Sequence, residues 1–181
     1  MFVVNDRVVY PGYGVAFISK LVKRLISGKL TSFYELKFFN KDMAVLIPED
    51  RIEAVGIRRL SSDEDLDTMF SLLAQPLMIE QEQGLKINWN RRNKKYQINL
   101  RSGDILKLCS IYKDLESLGQ TKELSFGERT LKTKIEEMLI EEISLVRNIC
   151  TDTALATLQQ CCKSGSGKKT VYKLREKNLC Q

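Results

Sequence analysis

Histidine is absent from all 181 residues. Its absence removes the usual general base near neutral pH and the commonest metal ligand. Nucleophile systems built on Ser-His-Asp or Cys-His are excluded in this chain. The five cysteines (Cys109, Cys150, Cys161, Cys162 and Cys180) are odd in number, include one adjacent pair and form no C-x-x-C. Without histidine they complete no Cys/His zinc set. Free thiols in a reducing cytosol are expected, with no metal and no cofactor. No stretch approaches the roughly 18 apolar residues of a membrane helix. The opening MFVVNDRVVY lacks the basic region and long apolar run of a signal peptide, so a cytoplasmic location is expected.

Phosphate-loop and metal chemistry also find little footing. In KSGSGKKT, residues 163–170, the position five before Gly167 is Cys162 where a Walker motif needs glycine, and Lys169 stands where Ser or Thr should be. The run Asp63, Glu64, Asp65, Asp67 crowds acid at a helix start, where the helix dipole accounts for it without a metal.

What is present is a hydrophobic content of 43% and a formal net charge of +6 with pI about 9.0. The first supports a buried core; the second favours anionic partners. The chain divides by pattern. Up to about residue 60, β-rich runs alternate with turn residues: PGYG after RVVY, SGKL after KRLI, and NKD after FYELKFF. Pro48 ends a fourth run, and IEAVGI reads as a short fifth strand. These strands imply a small barrel or curled antiparallel sheet.

From RRLSSDEDL onward the pattern is helical. Ser61 and Glu64 have capping-box spacing, and Leu66, Met69, Phe70 and Leu73 make a stripe that Pro76 stops. Residues 77–87 carry no assignable pattern. Trp89, Tyr96 and Leu100 share one helix face, as do Ile105, Leu108, Cys109, Tyr112 and Leu115 after the break at Ser102-Gly103. Ser125 and Glu128 form a second capping box before the stripe Leu131, Ile135, Met138, Leu139, Ile143 and Val146. A short helix near Thr153 to Gln160 follows. The expected organisation is α+β: a β domain over 1–60, a helical domain over 61–160 and a flexible basic tail over 161–181.

The stretch KINWNRRNKKY, residues 86–96, holds the only tryptophan, Trp89, among five cations: Lys86, Arg91, Arg92, Lys94 and Lys95. Two readings of the residues stand open. Trp89 anchors a core beside a solvated basic face, because tryptophan is usually mostly buried. Alternatively the stretch is a nucleic-acid surface, in which the cations neutralise phosphate and the indole stacks on a base or enters a disrupted groove. No set of Asn, Gln and Arg on one face suits major-groove reading.

VNDRVVYPGYGVAFI, YELKFF, VLIPEDRIEAVGIR and NWNRRNKKY, followed by LRSGDILKLCSIYKDL and LSFGERTL, together resemble the CarD/CdnL family of bacterial transcription regulators over roughly residues 1 to 150. The first part also resembles the polymerase-interacting module of the transcription-repair coupling factor. The resemblance implies a Tudor-like N-terminal barrel that binds the lobe of the RNA polymerase β subunit through an edge strand. It implies a helical domain on promoter DNA at the upstream edge of the bubble, stabilising the open complex. By similarity Trp89 is a minor-groove wedge, and Arg91, Arg92 and Lys94 are backbone contacts, with Lys95 and Lys86 completing the basic patch. Arg24, Leu25 and Ile26 fall on the strand that meets polymerase. Leu46 occupies a position that is basic in some relatives, which exchanges a charged contact for an apolar one.

An RNA-binding or ribosome-associated basic module is the competing reading of a small barrel joined to basic helices. An enzyme has little support without histidine, a metal set or a phosphate loop.

Overall fold

A computed structural model describes residues 2–39, 41–76 and 88–164. Four strands, β1 (Arg7–Tyr10), β2 (Gly14–Ile26), β3 (Lys29–Phe38) and β4 (Ala44–Pro48), are joined by β5 (Arg58–Arg59) in the order β4-β3-β2-β1-β5. All pairings are antiparallel. No pairing of β4 with β5 closes the sheet into a barrel among the described residues. Alternating positions bury Val8, Ala16, Ile18, Tyr34, Leu36, Phe38 and Ile47 as one cluster.

IEAVGI, expected as the fifth strand, is instead a helical turn, α1 (Ile52–Val55), entered through a 3-10 turn at Glu49–Arg51. Gly56 closes it: its N–H bonds the Glu53 carbonyl at 2.9 Å, and that of Ile57 bonds Ile52 at 3.2 Å. Ile52 and Ile57 thereby reach the sheet's core, which is the apolar content that resembled a strand.

The helical half comprises α2 (Asp63–Ala74), α3 (Trp89–Ser102), α4 (Ile105–Thr121), α5 (Phe126–Arg147) and α6 (Thr151–Ser164). Its core joins Leu66, Met69 and Leu73 to Tyr96 and Leu100, the α4 stripe, and Leu131, Ile135, Met138, Leu139 and Ile143 of α5. The first capping box lies one residue later than expected. Ser62 accepts from the Asp65 N–H at 3.2 Å and Asp65 takes the Ser62 N–H at 3.0 Å. Ser61 is drawn away by Glu142 of α5. The second box, Ser125 with Glu128, stands as the spacing predicted. The last helix runs to Ser164, longer than expected; it buries Cys161 and leaves Cys162 partly covered, so two residues assigned to the tail are packed. Most of KSGSGKKT, with Cys180, lies outside the described residues.

The two halves meet at a polar joint. Glu142, buried on α5, accepts both Arg58 terminal nitrogens at 2.7 and 2.9 Å, and the Ser61 N–H and hydroxyl at 2.9 and 2.7 Å. Its neighbour Glu141 accepts the Val15 N–H at 3.1 Å. A Cβ at residue 14 would make the Glu141 carboxylate shift from its bond to Val15, and the φ of 108° at Gly14 is one that other residues rarely adopt. Pro11 sits between Gly56 and Gly103. A Cβ on Gly103, whose φ is 66°, would lie 3.0 Å from the Pro11 ring. The PGYG loop therefore seats against the glycine that ends α3.

Candidate nucleic-acid interface

Asn88 starts α3, its side chain accepting the Asn90 N–H at 3.0 Å. No acidic residue follows in the first turn. Arg91, Lys94 and Lys95 are exposed, and Ile98 and Arg101 continue that face, so the outward side of the helix is basic with one apolar residue in it. Its inward stripe is Arg92, Tyr96 and Leu100.

Trp89 belongs by spacing to the inward stripe, yet it is the first residue of the helix and is only half-buried. It packs on the helical core's edge. Its six-membered ring lies against Gly127 at the start of α5, where an added Cβ would come within 3.3 Å. Thus the indole stands where the buried stripe meets the basic face, and it joins the two readings left open by the sequence.

Arg92 is placed differently from its expected role. It is 7% exposed and its guanidinium bonds Glu128 at 2.6 Å, with the carboxylate 1% exposed. The resemblance implied a backbone contact for Arg92; in the structure its guanidinium is enclosed and engaged by Glu128. The spacing explains it: residue 92 lies three after Trp89 and four before Tyr96, on the stripe that faces the core. Arg92 also lies 5.9 Å from the Trp89 ring centroid. It thus ties the first turn of α3 to the first turn of α5, beneath the indole. Burial by itself would raise the Glu128 carboxyl. The Ser125 N–H and hydroxyl, Arg92 and Lys122 together outweigh burial and hold it down at about 2.

Asp114 of α4 is within electrostatic reach of the same stripe. One of its carboxyl oxygens is buried without a hydrogen-bond partner among the described residues. Burial pushes it up to about 6, against the pull of Lys95, Lys113 and Arg92. Lys86 lies outside the described residues.

In the sheet, β1 covers only Gly14 to Phe17 of β2, so beyond Ile18 no strand among the described residues pairs with its outer side. Arg24 and Leu25 pair with Thr31 and Leu30, and Ile26 with Lys29. The residues at this hairpin end are exposed, Leu25 at 72%. Register puts Arg24 and Ile26 on one face of the sheet and Leu25 on the other. Leu46 shares the face of Arg24, through the row Lys20, Glu35, Leu46, but it stands two strands away on β4 and half-buried. The four residues therefore do not form one contiguous edge.

The sequence reading passed over Phe126, which begins α5 next to the glycine that Trp89 touches and is 80% exposed. The LSFGE motif had drawn attention only to its capping pair. It also passed over Glu141 and Glu142, although both lie within the apolar stripe of α5, between Leu139 and Ile143.

Among the described residues no helix is long and apolar enough to cross a membrane. Residues 2–61 match the family model described as CarD-like/TRCF RID domain, and residues 71–159 match that described as CarD, C-terminal domain. The chain is also similar to a Bacillus subtilis (strain 168) protein named "Putative transcription factor YdeB". The two are 22% identical over 149 residues, which cover 82% of this chain and 94% of that protein.

Proposed function

The chain belongs to the CarD family of transcription factors, and from that membership we propose that it bridges RNA polymerase and promoter DNA without catalysing a reaction. The sheet takes the β-subunit lobe along the outer edge of β2. There unpaired backbone groups extend a partner's sheet, and Arg24 pairs with an acidic side chain. The helical half lies on DNA at the upstream edge of the bubble, and the protein works in the bacterial cytoplasm.

One observation carries the DNA half: a half-buried indole at the first residue of a helix whose outward face is basic and free of acid over its first turns. Arg91, Lys94 and Lys95 supply sequence-independent attraction to phosphate. Trp89, braced by Gly127 and Arg92, supplies a rigid apolar edge to a disrupted base step. Such a wedge lengthens the open state only by binding it better than the closed duplex. About 1.4 kcal/mol of that difference gives a tenfold longer lifetime.

The test is the open-complex lifetime with cognate polymerase, for the wild-type chain and Trp89→Ala. Because Trp89 is half-buried, the substitution should cost about 1–2 kcal/mol of stability, below the roughly 3–5 kcal/mol of a fully buried aromatic. The folded variant should bind polymerase normally and fail to extend the lifetime. An undiminished extension would refute the wedge.

A further inference from the structure

Among the described residues the Phe126 side chain belongs to neither hydrophobic cluster and makes no ring contact. It occupies the first position of α5, inside a capping box whose bonds are made entirely by Ser125 and Glu128. The apolar contact preceding that box is supplied by Leu124, which is buried, whereas Phe126 is 80% exposed. Exposing a phenyl ring forgoes the burial that makes aromatics useful to a fold. Its surroundings are chemically specific. Gly127 places the next backbone unit against the Trp89 ring. Arg129, Thr130, Thr133, Lys134 and Glu137 line a shallow depression beside it, two cations and two hydroxyls against one acid. Arg129 also pairs with Glu123 at 3.6 Å, so the local charge is mixed but positive on balance across the depression and the α3 face.

We infer that Phe126 is a second aromatic contact to DNA, stacking on an unpaired base beside the step that Trp89 enters. The inference rests on the DNA-binding reading above and adds a preference to it. Aromatic stacking needs an exposed base face, which paired duplex does not offer and melted DNA does. Trp89 with the α3 cations engages the edge of the duplex, and Phe126 then distinguishes melted strand from paired strand. The exposed ring, its place one residue before the glycine that Trp89 touches, and a depression lined by two cations and two hydroxyls with one acid suit a single strand passing over the start of α5.

The experiment uses the full chain bound to its cognate polymerase. The DNA is a promoter fork carrying 2-aminopurine as the first unpaired upstream base, with fully paired promoter duplex as comparison. Phe126→Ala should weaken fork binding about tenfold, as expected for losing one stacked base. It should also restore the quenched 2-aminopurine fluorescence, with duplex binding and melting temperature unchanged. Phe126→Tyr should preserve both affinity and quenching. Equal losses on fork and duplex, or no loss on either, would overturn the inference. So would weaker binding to polymerase in the absence of DNA, which would place the ring against protein. Trp89→Ala and Lys94→Ala separate the two levels. If they weaken DNA binding while Phe126→Ala does not, only this inference fails. If they too are silent, the DNA reading fails with it.

Discussion

Replacing Arg92 should destabilise the fold rather than weaken DNA binding, and this separates it from Arg91 beside it. The guanidinium meets Glu128 at 2.6 Å, at 7% and 1% exposure. Removing one member of a buried pair leaves the other charge enclosed, at a cost of about 3–5 kcal/mol. Lys122 stands 3.4 Å from the same carboxylate and relieves part of this, so the lower figure, about 3 kcal/mol, is expected. For a chain of this size that is a loss on the order of 10 °C in Tm. Exposed Arg91→Ala should move stability by no more than about 0.5 kcal/mol. DNA binding should show the reverse. Arg91→Ala should reduce the slope of log affinity against log salt by about 0.9, one phosphate. Arg92→Met, measured well below its own Tm, should leave that slope alone. A double-mutant cycle with Glu128→Gln should return a coupling of about 2 kcal/mol. Glu128 carries a second check. Its carboxyl lies at about 2 in the folded state against an ordinary 4.5. The folded state thus binds the proton less readily, and this stability is present above pH 4.5 and lost as pH falls toward 2, about 3 kcal/mol in all. An Arg92 variant with wild-type Tm and a reduced salt slope would refute the reasoning and return Arg92 to the phosphate contacts.

Arg24→Glu should weaken polymerase binding by reversing a charge at the exposed end of β2, and unchanged affinity in a direct binding assay would remove it from that surface. Asp114 titrates in the opposite sense to Glu128: its folded value is about 6 against an ordinary 3.8, so its contribution is greatest below pH 3.8 and lost as pH rises through 6. Asp114→Asn should match wild type near pH 3 and exceed it by about 3 kcal/mol at pH 8 in denaturant melts, and a difference independent of pH would refute the assignment.

Periodicity made much of the fold legible. The stripes of α4 and α5, the shared face of Trp89, Tyr96 and Leu100, and the Ser125 box all stand in the structure. What failed did so where two local signals competed. Arg92 has the spacing of a core residue and the chemistry of a surface one, and its burial obeys the spacing because a carboxylate waits opposite. IEAVGI is apolar enough for a strand, yet Gly56 and the bonds it makes favour a turn of helix. Ser61 had capping spacing with Glu64, but its N–H and hydroxyl go to the distant Glu142, and the box forms at Ser62 with Asp65 instead. Glu141 and Glu142 lay beyond local reading because their partners, Val15, Arg58 and Ser61, are more than 80 residues away in the chain. For the candidate site, the basic face and its indole were visible. Phe126 was not, since nothing in sequence reveals that a phenylalanine beside a capping serine points to solvent.

The joint around Pro11, Arg58 and Glu142 has a consequence for how two weak contacts add. When two binding surfaces are connected by flexible chain, occupying one raises the local supply of the other by an amount that linker length dilutes. Here the connection is a wedged proline ring and a chelated guanidinium, so the second surface is held at a fixed bearing from the first. Effective concentration then depends on angle more than on length. It is high where the two targets stand at the matching bearing and nearly nil elsewhere. In the proposed bridging neither contact needs to be tight, and selectivity for one arrangement of polymerase and DNA would arise from geometry that neither surface possesses alone.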